Sequence, residues 1–155
     1  RYLDLLIDSV TRLDPKFVEA YYLASLIYWS DFGRFDDSYD ILRRGILANP
    51  DNARLRFQIG FMHYVLDNDY PRAAHWFEMA GRCSGATDRE LRFAAFARYR
   101  AGDDRVSLAL WEDLRANTQS PQMQELADKM IAKIRRGIEF SKPYGPDFIG
   151  PIPEI

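Results

Sequence analysis

Apolar residues recur along this chain with the spacing of an α-helix. Large apolar residues occupy positions i, i+4 and i+7 twice over, first at Tyr22, Leu26 and Trp29 and again at Phe57, Phe61 and Tyr64. That spacing places each trio on one face of a helix. No stretch alternates between apolar and polar residues over a useful length, which argues against a β-sheet. The pattern therefore predicts an all-α protein.

Turn signals divide the chain into eight predicted helices. Three of these signals are Asp31-Phe32-Gly33, Asp67-Asn68-Asp69 and Gly102-Asp103-Asp104. The predicted helices cover residues 2–13, 17–31, 35–48, 52–66, 70–83, 87–100, 104–117 and 121–137. The last helix begins with Ser120 as its cap and Pro121 at its first position, and its apolar residues form one stripe. A helix with a single apolar stripe is suited to cover the end of a helical array.

The predicted helices repeat with a period of about 35 residues. Three columns of the repeat hold small, large apolar and aromatic residues in turn: Ser25, Gly60 and Ala95; Leu26, Phe61 and Phe96; Trp29, Tyr64 and Tyr99. The small residues predict a close contact between paired helices, opposite Ser38, Ala73 and Ser107. A further large column is expected to fill the space between successive pairs, at Leu42, Phe77 and Trp111.

These columns resemble those of the tetratricopeptide repeat (TPR). The second unit carries the most complete set of matching residues, which are Ile59, Gly60, Tyr64, Asn68, Tyr70, Ala73, Phe77 and Ala80. Gly85 stands where the family has a proline, and the first two units are one residue longer than usual, near the turn between their helices. The resemblance implies a right-handed α–α solenoid of TPR-like helical hairpins with a C-terminal capping helix and an extended tail.

On this interpretation residues 1–137 form one TPR-like domain. Residues 1–15 are the second half of a truncated repeat, residues 16–50, 51–85 and 86–120 are repeats, and residues 121–137 are the capping helix. Residues 138–155 form a tail rich in proline and aromatic residues. Helix is excluded from Pro143 onward, because proline lacks a backbone N–H and favours extended geometry in the residue before it.

The resemblance also implies a binding surface, because the first helix of each hairpin lines the concave side of such arrays. Twelve residues are predicted to line this concave groove: Tyr22, Leu26, Trp29, Arg54, Phe57, Phe61, Tyr64, Arg89, Arg92, Phe96, Tyr99 and Arg100. Aromatic faces, phenolic hydroxyls and stacked arginines suit an extended or helical partner segment with aromatic, proline or acidic residues. The predicted function is a non-catalytic protein–protein interaction scaffold.

A second interpretation of the same residues stays open, because large aromatics at helical spacing also build cores. The arginines Arg54, Arg89 and Arg92 are either ligands of a carboxylate, ion-pair partners within a repeat or parts of a solvated face. The groove for a terminal carboxylate known in the family is not expected here. Its inward positions carry Tyr22, Leu26, Phe61 and Phe96 in place of lysine and asparagine.

Composition and charge exclude several classes of partner. The 155 residues carry 21 basic and 23 acidic side chains, and the net charge of −2 argues against capture of nucleic acid over the whole surface. It also argues against the pentatricopeptide repeat, an RNA reader of similar period. No apolar run approaches the ~20 residues that span a bilayer, so direct membrane insertion is not expected. The single cysteine, Cys83, excludes an intramolecular disulfide.

The sequence carries no signature of catalysis or of a cofactor. A glycine-rich phosphate loop, a His-Glu-x-x-His segment and a Gly-x-Ser-x-Gly segment are all missing. His63 and His75 stand 12 residues apart without recognisable further ligands, so surface or core positions are expected rather than a metal site. We therefore predict no catalytic residue, no metal ligand and no cofactor.

Two alternative functions stay open. In the first, the protein is a structural subunit of a multiprotein or self-associating assembly, with residues 138–155 as a strap that packs within one chain or onto another. In the second, it is the interaction region of a larger enzyme or of a membrane-anchored protein. The pattern begins at Arg1 in the middle of a hairpin, so the chain is expected to be a piece, and the compartment is not assigned.

Overall fold

A computed structural model describes the backbone of residues 2–141 and the side chains of residues 2–138. The helices of this part of the chain are α1 (Tyr2–Leu13), α2 (Val18–Leu26), α3 (Phe35–Ala48), α4 (Ala53–Met62), α5 (Tyr70–Gly81), α6 (Asp88–Arg100), α7 (Asp104–Asn117) and α8 (Pro121–Ser141). A π-helical turn continues α2 over Ile27–Asp31, and another continues α4 over His63–Asp67. No strand occurs within residues 2–141, and the all-α prediction is confirmed.

Helix α8 runs four residues beyond the predicted end at Gly137. A Cβ on this glycine would meet no atom within 4 Å, so the residue lies on an open part of the helix surface. A glycine inside an exposed helix costs about 1 kcal/mol but does not break the helix. The predicted tail over residues 138–155 lies outside the described part of the chain, except for the residues that α8 includes.

Side-chain caps begin four of the helices. Asn52 accepts a hydrogen bond from the backbone N–H of Leu55, at 3.0 Å, at the beginning of α4, and Asp69 does the same for α5. Thr87 and Glu90 form a capping box at α6. The predicted cap Ser120 accepts from the backbone N–H of Met123 at 3.3 Å. These caps satisfy N–H groups that have no partner inside the helix.

The small column of the repeat marks the predicted close contacts. The hydroxyl of Ser38 donates to the backbone carbonyl of Ser25 at 2.8 Å, and the hydroxyl of Ser107 donates to that of Ala95 at 2.8 Å. In the middle pair, a Cβ on Gly60 would lie 2.8 Å from the ring of Phe77. Small residues are therefore needed where α2 meets α3, where α4 meets α5 and where α6 meets α7.

Paired helices run in opposite directions. On α3, Ser38 lies against Ser25 of α2, whereas Gly45, two turns later, lies against Tyr21, one turn earlier on α2. The large column fills the core between pairs, and its members Leu42, Phe77 and Trp111 are fully buried. Each belongs to a different cluster of buried residues, and the three clusters follow one another along the chain.

The extra residue of the first two units lies in the π-helical turns. The backbone N–H of Arg34 donates to the carbonyl of Tyr28 at 2.7 Å, and that of Asp69 donates to His63 at 3.0 Å. The corresponding bond in the third unit, from Asp103 to the carbonyl of Arg98, is 2.9 Å long and spans one residue fewer. Because a π-helical turn holds one more residue than an α-helical turn, it takes up the insertion without displacing α3 or α5.

Candidate functional site

The twelve predicted groove residues lie on α2, α4, α6 and the two π-helical turns. Phe57 is the most buried of them and belongs to the core beside Phe77. Arg54, Arg89 and Arg100 are exposed, and the other eight are half-buried. The candidate site is therefore a surface in which arginines lie over aromatic rings that are partly covered by the core.

Two arginines stack on aromatic rings at equivalent places of the repeat. The guanidinium of Arg54 on α4 lies 3.8 Å from the ring centroid of Tyr22 on α2. The guanidinium of Arg89 on α6 lies 4.2 Å from the ring centroid of Phe57 on α4. Both members of the pair move by 35 residues from one unit to the next, so this is one contact made twice. We call these two contacts the arginine ladder.

A third arginine, at the C-terminal end of α6, contacts two tyrosine rings. Arg100 lies 5.7 Å from the ring centroid of Tyr64 and 5.4 Å from that of Tyr70, and its Nη1 donates to the Tyr70 hydroxyl at 3.0 Å. This hydrogen bond raises the pKa of Arg100 above its ordinary value. The structure therefore brings Tyr64, Tyr70 and Arg100 together.

An aromatic cluster supports the middle of the surface. The ring centroid of Phe57 lies 5.1 Å from that of Phe77 and 5.1 Å from that of Phe93, and 6.4 Å from that of Phe61. Tyr64 lies 6.5 Å from Phe93. Sequence reasoning missed Phe93 as a site residue, although it contacts Phe57 of the preceding unit.

The remaining predicted residues lie towards α8. Phe96 packs edge-on against the buried Trp111, at 4.9 Å between ring centroids, and the ammonium of Lys133 lies 5.3 Å from the ring centroid of Tyr99. Arg92 lies 5.5 Å from the ring centroid of Phe93. Lys133 was missed because nothing in the local pattern of α8 indicates that it reaches α6.

The charges of this surface are uneven. Helices α4 and α6 together carry six arginines and only two acids, Asp88 and Glu90, in a chain with a net negative charge. Arg54, Arg92 and Arg100 form no ion pair with a carboxylate of the described residues, whereas Arg98 is paired bidentately with Glu78, at 2.7 and 2.9 Å. The surface therefore has unneutralised positive charge.

Both acids of α6 are already engaged. Asp88 accepts a hydrogen bond from the hydroxyl of Thr118. Glu90 is buried, which opposes its charge, but hydrogen bonds from the backbone N–H groups of Thr87 and of Glu90 itself outweigh burial and lower its pKa. Arg89 also donates to Glu90, at 3.3 Å. Neither acid is left to neutralise Arg54, Arg92 or Arg100.

Two buried donors in this part of the fold lack an acceptor. Nε1 of Trp29 and Nε2 of Gln58 have no hydrogen-bond partner among the described residues. Gln58 lies one turn after Arg54, on the same face of α4. Such unmet donors cost about 1–3 kcal/mol each.

A second polar cluster lies beside the second π-helical turn. Asp67 accepts hydrogen bonds from the Tyr39 hydroxyl at 2.8 Å and from Nδ1 of His63 at 2.9 Å, and the His63 ring stacks on Tyr39. Burial, and then the bond to Asp67, raises the pKa of Tyr39 above its ordinary value. The lining of the adjacent cavity, about 650 Å³ in volume, includes no serine, cysteine or lysine. The cluster is a hydrogen-bonded contact between α3 and the second π-helical turn.

Within residues 2–141, no three His, Cys, Asp or Glu side chains come together as a metal site would require. None of the helices described above is long and apolar enough to cross a membrane. The fold defines an all-helical class of protein. No protein-family model matches the chain, and no curated protein matches it in sequence.

Proposed function

We propose that this protein is a non-catalytic interaction scaffold, a TPR-like solenoid that holds a partner peptide in its concave groove. The observation that carries the proposal is the arginine ladder, because Arg54 and Arg89 make the same stacked contact in consecutive units. Repetition of one contact along a row of equivalent helices is how a helical array presents a linear surface to a linear partner.

The chemistry of the surface supports a peptide as the partner. The half-buried rings of Trp29, Phe61 and Tyr64 offer flat apolar faces without requiring large movement of the core. The arginines add direction and preference for negative charge. Hot spots of binding are typically aromatic and arginine residues, and this surface is built from those two types.

Selection of a random peptide library on the immobilised protein tests this proposal. We expect selected peptides to lose binding when Trp29, Phe61 and Tyr64 are changed together to Leu. The helical signal in circular dichroism should stay unchanged. The matched control changes three exposed phenylalanines outside the groove, Phe17, Phe32 and Phe35, to Leu. Binding that survives the groove changes in a folded protein would exclude the groove as the site.

A second candidate function, a self-associating structural subunit, is favoured by the outer face of α1. Tyr2, Leu5 and Leu13 of this helix are exposed by 82%, 69% and 87%. Light scattering of the full chain and of Leu5→Glu and Leu13→Glu variants tests self-association through α1. Removal of residues 142–155, which leaves α8 whole, tests the proposed strap. A monomer in every case would reject this candidate.

A further inference from the structure

The geometry of the arginine ladder points to a particular occupant, and this inference rests on the proposed function. We propose that the groove binds an acidic segment in the polyproline II conformation, with carboxylate side chains at every third residue. Each carboxylate meets one guanidinium of the ladder, formed by Arg54 on Tyr22 and by Arg89 on Phe57.

Stacking leaves the guanidinium groups able to bind an anion. A guanidinium that lies flat on a ring uses its face, whereas its five N–H donors point outward in its own plane. Arg54 makes no hydrogen bond to a described residue, and Arg89 makes one, from Nη2 to Glu90 at 3.3 Å. Each arginine therefore keeps N–H donors for a contact with a carboxylate.

The charge around the ladder indicates an acidic occupant. Arg54 and Arg89 are each the second residue of their helix, where the positive end of the helix dipole disfavours a cation. Helix α4 has no acidic residue, and the two acids of α6 are engaged by Thr118 and Thr87. Arg54 has no ion-pair partner among the described residues and Arg89 pairs only with Glu90, at 3.3 Å, so an anionic partner would relieve this local conflict.

The spacing between successive units determines how far apart the carboxylates of the bound segment must lie. The first helices of successive units, α2, α4 and α6, contact one another through Tyr22 and Arg54 and through Phe57 and Phe93. Axes of packed helices lie about 9 Å apart. One turn of polyproline II takes three residues and also advances by about 9 Å, so side chains three residues apart point the same way at the required spacing.

Two other features of the surface fit this conformation. Proline rings dock on aromatic-lined grooves, and half-buried aromatic rings follow the ladder at Phe61 and Tyr64. Polyproline II makes no internal hydrogen bonds, so its carbonyl oxygens are free. Such oxygens can accept hydrogen bonds from the guanidinium N–H donors that the carboxylates leave free.

The experiment measures fluorescence anisotropy of labelled peptides with the full 155-residue chain at low salt. The first peptide repeats Pro-Pro-Glu triplets, the second has the same composition with its glutamates adjacent to one another, and the third repeats Pro-Pro-Gln. We expect the triplet peptide to bind about tenfold more tightly than the peptide with adjacent glutamates, because only it engages both arginines. The neutral peptide is expected to bind most weakly.

Matched variants assign the effect to the ladder. Arg54→Gln and Arg89→Gln are each expected to weaken the triplet peptide about tenfold. Arg105→Gln is the control, since Arg105 is also exposed and is also the second residue of its helix, α7, but contacts no aromatic ring. Arg54→Lys keeps the charge and removes the planar fork, so it should retain part of the binding. Circular dichroism establishes that every variant is folded.

Several outcomes would overturn this inference. Equal affinity for the two glutamate peptides would reject the spacing, and tighter binding of a helical peptide with glutamates seven residues apart would reject polyproline II. Tighter binding of single-stranded RNA, with the same dependence on Arg54 and Arg89, would reject a peptide as the occupant. A last outcome separates this inference from the proposed function. If neutral library peptides bind and lose binding when Trp29, Phe61 and Tyr64 are changed, while the triplet peptide does not bind, the acidic segment is rejected and the proposed function is supported.

Discussion

The hydroxyl of Tyr28 donates a hydrogen bond of 2.8 Å to Oδ1 of Asp4 and so connects the first π-helical turn to α1. The guanidinium of Arg34 donates to the same oxygen at 3.0 Å and lies 4.7 Å from the ring centroid of Tyr28. The equivalent residues of the next unit are His63 and Tyr39, whose rings stack at 4.8 Å. The same two positions of the repeat therefore contact each other in both units, through a hydrogen bond in the first case and through stacked rings in the second.

The contact around Asp4 predicts a loss of stability in acid. The hydrogen bonds from Tyr28 and then from Arg34 lower the pKa of Asp4 from 3.8 to about 2. Because the folded carboxyl has the lower pKa, its charge stabilises the fold above the unfolded value of 3.8. We expect this contribution to disappear as the pH falls from 3.8 to about 2. Urea unfolding at a series of pH values measures it.

Asp4→Asn and Tyr28→Phe provide the comparison. Both variants should lose less stability than the natural protein over the same pH interval, because the first lacks the carboxylate and the second lacks the main donor. Tyr28 also predicts a loss in alkali, since burial and the bond to Asp4 raise its pKa from 10.0 to about 12. The Phe variant should lack that alkaline loss too, and parallel curves would contradict both predictions.

Gly60 is predicted to tolerate no side chain. A Cβ at this residue would lie 2.8 Å from two ring atoms of Phe77 and 3.2 Å from the carbonyl oxygen of Ala73. Phe77 is fully buried among the rings of Phe57, Tyr64 and Phe93, which it would have to displace in order to move. We expect Gly60→Ala to lower the free energy of unfolding by about 1–3 kcal/mol through overpacking. Thermal and urea unfolding measure the change.

Gly137→Ala is the matched control. Gly137 also lies inside a helix, but a Cβ there would meet no atom within 4 Å. Alanine should therefore stabilise α8 by about 0.5–1 kcal/mol, because it loses less conformational entropy on folding than glycine does. The two substitutions are chemically identical and should have opposite signs. A stabilising Gly60→Ala would contradict the close helix contact.

Deletion of Ser30 should leave the fold intact. Ser30 is exposed within the first π-helical turn, and the third unit lacks the corresponding residue and has no such turn. Removal should convert the π-helical turn to α-helix. The hydrogen bond from Arg34 to Tyr28 should then span one residue fewer, as the bond from Asp103 to Arg98 does in the third unit. We expect a change of less than about 1 kcal/mol, measured by urea unfolding.

Deletion of Leu23 tests whether position, and not exposure, decides the outcome. Leu23 is also exposed but lies within the α-helical part of α2. Its removal turns Val18–Tyr22 by about 100° relative to the rest of the helix. Tyr21 would leave the core, and we expect the protein to lose its cooperative unfolding transition. Equal tolerance of both deletions would show that the π-helical turn has no special role as the place of insertion.

The ion pair of Arg98 with Glu78 is predicted to contribute more than a surface pair. Its two side chains are exposed by only 22% and 19%, and they make two short hydrogen bonds. A double-mutant cycle with Arg98→Met and Glu78→Gln should give a coupling of about 2 kcal/mol. The exposed pair of Lys129 with Glu125 should give about 0.3–0.5 kcal/mol in the same measurement. Similar values for both pairs would contradict the prediction.

The helices could be predicted closely because their signals are local. The bounds of α1, α3 and α7 agree with those read from the sequence, and Ser120 caps α8 as expected. Helical periodicity and capping depend on residues within a few positions of one another. The end of α8 was predicted too early at Gly137, because an exposed glycine weakens a helix without ending it.

The candidate site was harder to predict because it depends on contacts between helices. The aromatic residues and arginines were recognised from their columns, but the stacking of Arg54 on Tyr22 was not. Phe93 and Lys133 were missed since their neighbours, Phe57 and Tyr99, lie on other helices. Which of two half-buried faces meets a neighbour depends on how helices cross, and that is set by packing.

The sequence by itself determined the all-helical class, the bounds of α1, α3 and α7 and the period of the repeat, since each follows from the spacing of residues along one chain segment. It also indicated the extra residue near the turns of the first two units. Only the tertiary structure decided that this residue is held in a π-helical turn and that Phe57 belongs to the core. It also decided that Arg54 and Arg89 repeat a single contact. These properties depend on side chains from separate helices meeting at distances of 4–5 Å, which no local pattern encodes.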